Sequence, residues 1–404
     1  MRTTLTALLL GLLSVVFFAR DISNPRRYVF DEFQYVPSAN ALLTQSPNPN
    51  PEAPPLGKLM LAAGIKLFGD NPLGWRCMSA IFGALTLVGI FLWVRILADD
   101  YSLALFAAIF TLLDNFLFVF SRVAMMDIFL VAFMIWGLLA FTAAVKLGSI
   151  SAASRRAIFL FSGVMFGFSC ASKWNGVDAL GIAIAAAIVL LWLSKRSANP
   201  EIAAYAQHLR QAGTPCVAVS LLIVPVLAYS ITFLPLLHSL HIPFSFRELG
   251  AMNLFIWRFH RAVVGNAFLI RPWYKWPLQY DPLRNLSYLV GNWYVMWAGL
   301  LALLICARRF GKSIPETLVV ALYAGNLLQW AFTPQRCLFY YYYFPAALFL
   351  GVAIPLALRQ LPERLFGVRL GFLVLLPAIV VFAYCYPRMA YLPQPFDCAL
   401  GCWP

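Results

Sequence analysis

Eleven apolar stretches, each close to the length that crosses a lipid bilayer, constrain this chain more than any other feature of its sequence. A helix of ~20 apolar residues spans ~30 Å of hydrocarbon while satisfying its own backbone hydrogen bonds. The stretches are residues 5–19, 77–97, 101–119, 125–145, 157–172, 177–193, 215–237, 288–306, 316–332, 337–358 and 369–386. With 62% hydrophobic and 11% charged residues, the chain is too apolar for a soluble enzyme. The sequence therefore predicts an all-α polytopic membrane protein with about eleven transmembrane helices.

The distribution of Lys and Arg predicts how the chain is oriented in the membrane. A net charge of +14 in a soluble domain would indicate nucleic acid binding, but cytoplasmic loops of membrane proteins are also rich in these residues. With a cytoplasmic N-terminus, the short inner connections are residues 146–156, 195–210, 308–312 and 359–369. They carry twelve Lys and Arg against two acids, so topology accounts for much of the charge and we expect no nucleic acid partner.

The opposite, outer face receives the longest polar segments. We expect one transmembrane domain over residues 1–404, with a first outer catalytic loop at 20–76, a second outer loop at 238–287 and an outer tail at 387–404. The first apolar stretch ends in Phe17-Phe18-Ala19, which is not a small-x-small cleavage site, so we interpret it as a retained anchor. Cys398 and Cys402 lie in the tail, where a disulfide and two free thiols are both open.

Two adjacent carboxylates, Asp31 and Glu32, stand among aromatic residues in the first outer loop. One of them can act as a general base while the other orients it, or either can hold a substrate hydroxyl or a divalent cation. A solvated pair or a helix N-cap is the structural alternative, and it is the commoner role of an Asp-Glu pair. The pair alone is weak evidence for catalysis.

Basic residues in the same loop follow a rigid, Pro-rich entry. Gly57 and Lys58 open a predicted amphipathic helix that runs through Phe68 and lies in the membrane interface. Lys58 is placed either to meet an anionic lipid head group or to snorkel toward ordinary phospholipid. Arg76 then precedes the second span beside an interfacial tryptophan.

Three further cations, Arg122, Lys173 and Arg336, stand at the predicted outer ends of helices, where the positive-inside rule does not place them. Each alone is compatible with a snorkelling anchor. Together they favour a shared anion such as the phosphate of a lipid carrier. Asp127 follows Arg122 by five residues and is a candidate partner for it.

Aromatic residues alternate with cations in the second outer loop, at residues 257–261, which include His260, and 271–277, which include Trp276. Aromatic faces pack on the C–H faces of sugar rings, but Trp and Tyr also collect at membrane interfaces. The run Tyr340 to Tyr343 has the same two interpretations, and the interfacial one is the commoner.

In their order along the chain, these motifs resemble the protein O-mannosyltransferases, membrane enzymes of the glycosyltransferase C superfamily. The resemblance covers almost the whole chain and rests on residues 30–32, 54–58, 121–127, 172–176, 257–260, 273–277, 291–292, 334–336 and 339–340. Two departures stand out. Ala53 occupies the position before Pro54-Pro55 where the family usually has His, and the second outer loop is too short for the β-trefoil domain of eukaryotic members. The chain therefore resembles a minimal, prokaryote-like member of a bacterial inner membrane.

The resemblance implies an inverting transfer of a sugar, by analogy mannose, from a polyprenyl-phosphate carrier to Ser or Thr hydroxyls of exported proteins on the outer face. The partners would be that donor, a protein or peptide acceptor and membrane lipid; no cofactor is indicated, and a divalent cation beside the two acids is left open. Asp31 would be the base and Glu32 its orienting neighbour. The expected phosphate-binding residues are Arg122, Lys173, Arg336 and Lys58, with Asp127, Arg76, His260, Trp276 and Asn292 in support. Transfer to a lipid or glycan is the alternative, and transport of lipid-linked sugars is a second.

Overall fold

The computed structural model of the protein describes residues 1–196, 199–262, 272–278, 291–332, 339–365 and 368–391. Within these ranges the chain is almost entirely helical. The only strands there are β1 (Arg364–Leu365) and β2 (Val368–Arg369), an antiparallel pair that places Arg364 opposite Arg369. This small hairpin lies in the predicted inner connection 359–369, and it is the one departure of the described chain from an all-α fold.

Eighteen α-helices make up the described part of the chain. They are α1 (Arg2–Ala19), α2 (Glu32–Thr44), α3 (Leu56–Phe68), α4 (Pro72–Ala98), α5 (Tyr101–Leu112), α6 (Asn115–Phe120), α7 (Met126–Lys146), α8 (Ala152–Ser172), α9 (Val177–Leu193), α10 (Pro200–Ala212), α11 (Thr214–Ala218), α12 (Val224–Ile231), α13 (Leu234–Ser239), α14 (Phe246–Ala262), α15 (Trp293–Ala307), α16 (Ile314–Leu328), α17 (Phe344–Leu358) and α18 (Leu370–Met389). Short 3₁₀ turns cover Trp174–Gly176, Trp273–Leu278, Gln329–Phe332 and Tyr340–Tyr343, and a π-turn covers Val219–Ile223.

Seven helical segments among the described residues are long and apolar enough to cross a membrane. They are Arg2–Ala19, Pro72–Ala98, Met126–Lys146, Trp174–Leu193, Thr214–Ser239, Tyr340–Leu358 and Leu370–Met389. The remaining predicted spans fall on helices that are shorter or less apolar, namely α5 with α6, α8, α15 and α16. The chain is therefore an integral membrane protein with at least these seven candidate spans.

Local sequence explains where several helices begin and break. The Asn71 side chain accepts hydrogen bonds from the backbone N–H groups of the first turn of α4, and Pro72 occupies the first helical position, where no hydrogen bond is lost. The predicted span 101–119 is interrupted because Asp114 caps α6 by accepting from Phe116 N, 3.1 Å away.

The core of the bundle is formed by α7 and α17, each with 89% of its membrane-length window buried. Helix α7 packs against α4 and α8, while α17 packs against α15, α16 and α5. Helices α1, α9 and α18 expose most of their apolar side chains, as expected for lipid-facing positions. At Gly163 of α8, an added Cβ would lie 1.9 Å from the Ser220 carbonyl oxygen, so only glycine allows this helix contact.

Two short helices of the first loop, α2 and α3, cover the core at the end where α7 begins and α8 ends. The predicted helix from Gly57 through Phe68 is present as α3 and is amphipathic: it buries Leu61 and Ile65 and exposes Leu67 and Phe68. Helix α3 packs on α2 and α4. The loop is therefore a folded layer on the bundle, and it carries the residues that the sequence singled out.

Candidate active site

A cavity of about 250 Å³ opens where the first loop meets the start of α7, the end of α8, the end of α14 and the start of the tyrosine run. Asp31 and Glu52 contribute carboxylates to its wall, and Lys173 contributes a cation. His260 and several aromatic rings complete the lining. The cavity thus gathers acidic, basic and aromatic groups from regions far apart in the sequence.

Asp31 immediately precedes α2 and presents its carboxylate to this cavity. One of its oxygens, Oδ2, accepts a hydrogen bond of 2.9 Å from the Tyr341 hydroxyl. Burial raises the pKa of Asp31 above its usual value, and the Tyr341 hydrogen bond and the Lys173 charge oppose that rise. A partly desolvated carboxylate of raised pKa is a suitable proton acceptor for a hydroxyl substrate.

Glu32 faces away from the cavity and is completely buried. Its two oxygens receive the Arg76 guanidinium, with Nε to Oε1 and Nη2 to Oε2 both at 2.8 Å. The backbone N–H groups of Val29 and Ala124 donate to the same carboxylate, each at 2.9 Å. Four donors leave this carboxylate no free side toward a substrate, so its role is to hold the loop in place.

The backbone at Phe30 separates the two acids. Phe30 has a φ of 50°, in the left-handed region that a residue with a bulky side chain rarely adopts. This turn lets the N–H of Val29 reach Glu32 while Asp31 caps α2 on the cavity side. Arg76 fixes the turn further by donating to the carbonyl groups of Ile22 and Pro25, at 3.1 and 2.9 Å.

Arg122 is 4% exposed and lies at the end of α1, not at the cavity. Its guanidinium donates to the carbonyl oxygens of Phe18, at 2.7 Å, of Arg20, and of Asp21, at 3.2 Å. These carbonyl groups lie at or just after the C-terminal end of α1, where backbone carbonyls have no partner within the helix. The expected partnership with Asp127 is wrong: the turn between α6 and α7 sends the two side chains in different directions.

Asp127 is instead paired with Lys173, whose Nζ lies 2.8 Å from Oδ1. The ammonium group of Lys173 also stands over the rings of Tyr342 and Tyr341, at 4.5 and 5.3 Å from their centres. Lys173 ends α8 and lines the cavity. It is the predicted phosphate-binding cation that the described chain brings to this site.

Lys58 is 1% exposed and holds the Pro-rich segment of the loop. Its Nζ donates to the carbonyl oxygens of Asn50 and Ala53, the second at 3.0 Å. Burial lowers the pKa of Lys58 to about 7. Arg336, Cys398 and Cys402 lie outside the described residues.

The other predicted supporting residues divide between the cavity and the core. His260 lines the cavity and meets Trp174 edge to face, with ring centres 6.2 Å apart. Trp276 is fully buried and lies 5.9 Å from Trp330. Asn292 caps α15 and donates to two carbonyl oxygens of other segments, each at 3.0 Å. Trp276 and Asn292 therefore stabilise the helix packing beneath the site.

Sequence reasoning did not identify Tyr341 as a ligand of Asp31, nor Gln34, Asn50 and Glu52 as cavity residues. The run of four tyrosines was a signal for the first, although an aromatic belt explained it equally well. A carboxylate in an outer loop was the only signal for Glu52. The described residues contain no group of three His, Cys, Asp or Glu side chains arranged to hold a metal ion, and the divalent cation near Asp31 stays a prediction.

A family model described as dolichyl-phosphate-mannose-protein mannosyltransferase matches residues 52–229. A protein of Corynebacterium glutamicum named polyprenol-phosphate-mannose–protein mannosyltransferase is 43% identical over 117 residues, which cover 26% of this chain and 22% of that protein. A Mycobacterium tuberculosis protein of the same name is 22% identical over 90% of this chain and 83% of its own length. Over these ranges the chain is similar to protein mannosyltransferases that use a polyprenol-phosphate or dolichyl-phosphate donor.

Two solved structures share the fold of almost the whole chain. The Saccharomyces cerevisiae Pmt1-Pmt2 complex, solved with its sugar donor, matches with a TM-score of 0.80 at 14% identity, over 98% of this chain and 91% of that one. ArnT from Cupriavidus metallidurans, solved with undecaprenyl phosphate, matches with a TM-score of 0.63 at 16% identity, over 97% and 65%. The chain therefore shares the fold of these two proteins.

Proposed function

We propose that this protein transfers mannose from a polyprenyl-phosphate carrier to Ser or Thr hydroxyls of a protein acceptor, with inversion at the anomeric carbon. The names of the relatives support the reaction class. The observation that carries the proposal is the arrangement of Asp31, Tyr341 and Lys173 around one cavity. A base and a cation side by side suit a reaction that gains charge on a leaving phosphate.

Asp31 acts as the general base. As the acceptor oxygen forms a bond to the anomeric carbon, its proton passes to an Asp31 carboxylate oxygen, and the bond from the anomeric carbon to the phosphate oxygen breaks. The Tyr341 hydroxyl occupies Oδ2 and so leaves Oδ1 for the acceptor. Because burial raises the pKa of Asp31, its carboxylate is a stronger base than a solvated one.

The leaving group is a lipid phosphate, and its growing negative charge requires a cation in a site poor in water. Lys173 supplies it among the described residues, and we assign Arg336 as a second. Arg122 and Lys58, whose donors are bound to backbone carbonyls, support the loop that carries Asp31. A polyprenyl leaving group also accounts for the membrane setting, since the tail stays in the bilayer while the reacting bond reaches the interface.

We further propose eleven transmembrane helices in a bacterial inner membrane, with a cytoplasmic N-terminus, an outer active site and α3 lying in the interface. An ion pair supports an opposite, inner end: the buried Glu316 lies in the first turn of α16 and pairs with Arg359, just after α17, at 2.8 Å. Asp31, Lys173 and Tyr341 all lie at the other ends of their segments. A cysteine placed at Asp21 should react with an impermeant thiol reagent in sealed, outside-out membranes, and one at Glu363 should not.

The test of the reaction uses the full chain in proteoliposomes with polyprenyl-phosphate [³H]mannose and a Ser/Thr-rich peptide. Asp31→Asn should lower the rate of peptide labelling by a factor on the order of 10² to 10⁴, because a positioned base contributes that much. Binding of the donor should survive. Asp21→Asn, an exposed acid of the same loop, is the matched control and should label at the wild-type rate.

Two outcomes would contradict the proposal. Near-normal labelling by Asp31→Asn would remove this residue as the base. Label that enters lipid or glycan and never the peptide would replace the protein acceptor with another class, while leaving the donor chemistry in place.

A further inference from the structure

Helix α2 and the loop that follows it bring three polar side chains to the cavity. Gln34, Asn50 and Glu52 all line it. The Asn50 amide holds them together, since its Nδ2 donates to Gln34 Oε1 at 2.9 Å and to Glu52 Oε1 at 2.6 Å. Both neighbours are acceptors, so the orientation of the Asn50 amide is fixed. We call these three residues the polar triad.

One atom of the polar triad lacks a partner. Asn50 is 2% exposed, and its Oδ1 accepts no hydrogen bond from any described residue. A buried carbonyl oxygen without a donor is unfavourable and is rarely left so in a folded protein. Asn50 lines the cavity, so a ligand bound there is the candidate source of the missing donor.

The chemistry of the polar triad identifies the class of that ligand. Glu52 and Asn50 offer acceptors, and the Gln34 amide, whose oxygen is occupied, offers its nitrogen as a donor. A sugar hydroxyl both donates and accepts, and neighbouring hydroxyls match a mixed set of carboxylate and amides. A phosphate has no hydrogen to give at neutral pH and would be repelled by Glu52.

The cavity is therefore divided between two chemistries. Its cation, Lys173, contacts Asp127 and the rings of Tyr341 and Tyr342, none of which belongs to the polar triad. Gln34 follows the N-cap residue Asp31 by three positions, and both residues line the cavity. The polar triad therefore shares the cavity with the base but does not contact the phosphate cation, and the ring of the transferred sugar would sit against it.

We propose that Gln34, Asn50 and Glu52 form the subsite that binds hydroxyl groups of the transferred sugar and sets which sugar is accepted. This inference rests on the proposed transfer of mannose. It predicts that the polar triad forms a hydrogen bond with a particular hydroxyl group of the donor sugar. Removing that hydroxyl from the donor, or its partner from the protein, should therefore lower kcat/KM by a similar factor.

The test combines protein variants with donor analogues. Polyprenyl-phosphate mannose and its 2-, 3-, 4- and 6-deoxy forms are supplied to the wild-type full chain in proteoliposomes. At least one deoxy donor should lose about tenfold or more in kcat/KM, as expected for a hydrogen bond to a charged group. Glu52→Gln keeps the size of the side chain and should lose a similar factor with mannose, but little further with that deoxy donor.

One control variant and a second variant of the polar triad test whether the effect is specific. Gln45→Ala changes an exposed amide just beyond α2 and should retain the full preference for mannose over every deoxy form. Asn50→Ser replaces the central amide with a shorter side chain. Like Glu52→Gln, it should reduce the ratio of kcat/KM for mannose to kcat/KM for the affected deoxy donor. Circular dichroism and elution as a single species establish that each variant is folded before its kinetics are compared.

The outcomes separate this proposal from the one beneath it. A wild-type protein that transfers no mannose would overturn the proposed function and the subsite with it. A wild-type protein that transfers mannose, with Glu52→Gln and Asn50→Ser discriminating against each deoxy donor as strongly as before, would overturn the subsite alone.

Discussion

Asp31 and Glu32 are neighbours in the sequence but belong to two regions with opposite properties. Around Glu32, every charge is matched: its carboxylate has four donors, and Arg76 also reaches backbone carbonyls. Around Asp31, polar groups keep spare capacity, since Asp127 Oδ2 and Asn50 Oδ1 have no partner among the described residues. Asp127 and Asn50 are nearly as buried as Glu32. The comparison teaches that unfilled hydrogen-bonding capacity, more than burial, separates the surroundings of the proposed base from those of the structural carboxylate.

The largest expected effect comes from breaking the matched region. Glu32→Gln removes one partner of a fully buried ion pair and leaves the Arg76 charge uncompensated, which costs about 3–5 kcal/mol of unfolding free energy. Unfolding by SDS in mixed micelles measures this loss. The molecules that remain folded should still transfer mannose, because Glu32 does not reach the cavity.

Asp31→Asn is the reciprocal variant and should show the opposite pattern, with little change in stability and a large loss of turnover. Should Glu32→Gln stop transfer while its unfolding curve stays unchanged, the division between the two acids would be wrong.

Lys173→Met tests the cation of the cavity. We expect kcat/KM to fall by about 10²-fold, because an aligned charge in a site poor in water stabilises the leaving phosphate strongly. The Lys173 charge also lowers the pKa of Asp31, so its removal raises that pKa and moves the acidic limb of the pH profile upward. Lys173→Arg retains the charge and should keep the limb near its original position. An unmoved limb in the Met variant would contradict the coupling.

Tyr341→Phe is a smaller perturbation of the same region. Loss of one hydrogen bond to a carboxylate should lower kcat/KM by roughly 3- to 10-fold. The hydrogen bond lowers the pKa of Asp31, so the variant titrates at higher pH and loses activity earlier on acidification. Tyr274→Phe, at an exposed tyrosine, serves as the control and should match the wild-type profile. A profile shifted to lower pH in Tyr341→Phe would reverse the assignment.

An exposed ion pair supplies the smallest expected effect. Glu363 and Arg369 lie 3.6 Å apart with both side chains largely exposed. Solvent and salt screen such pairs, so Glu363→Gln should leave both the unfolding curve and peptide labelling unchanged. A clear loss of stability would mean that charge pairing alone, without burial, accounts for the effect expected at Glu32.

Much of the fold was predictable because the length of apolar stretches and the placement of Lys and Arg can be read directly from neighbouring residues in the sequence. The helices themselves, the amphipathic helix from Gly57 through Phe68 and the choice of Asp31 and Lys173 as candidates for one site all followed from such local signals. The break between α5 and α6 was missed, since Asp114 in an apolar stretch has no pattern that separates a cap from a packing contact.

Partners distant in the chain were not predictable. Glu32 is held by Arg76 because the backbone turns at Phe30, and no spacing rule connects those residues. Asp127 was assigned to Arg122 because the two are close in sequence. The turn before α7 instead places Asp127 beside Lys173, 46 positions away, and the two form an ion pair. The polar triad depends on the course of a Pro-rich loop, which periodicity does not describe.

The guanidinium contacts of the first loop also bear on how the protein is made. Arg76 donates to Ile22 across 54 positions, and Arg122 donates to Phe18 across 104. In both pairs the acceptor leaves the ribosome well before its donor. The loop that carries Asp31 therefore cannot adopt its final form until the segment around residue 122 has been synthesised and delivered to the same side of the membrane. The first loop therefore reaches its final structure only when both the early helices and the later segment around Arg122 are correctly inserted.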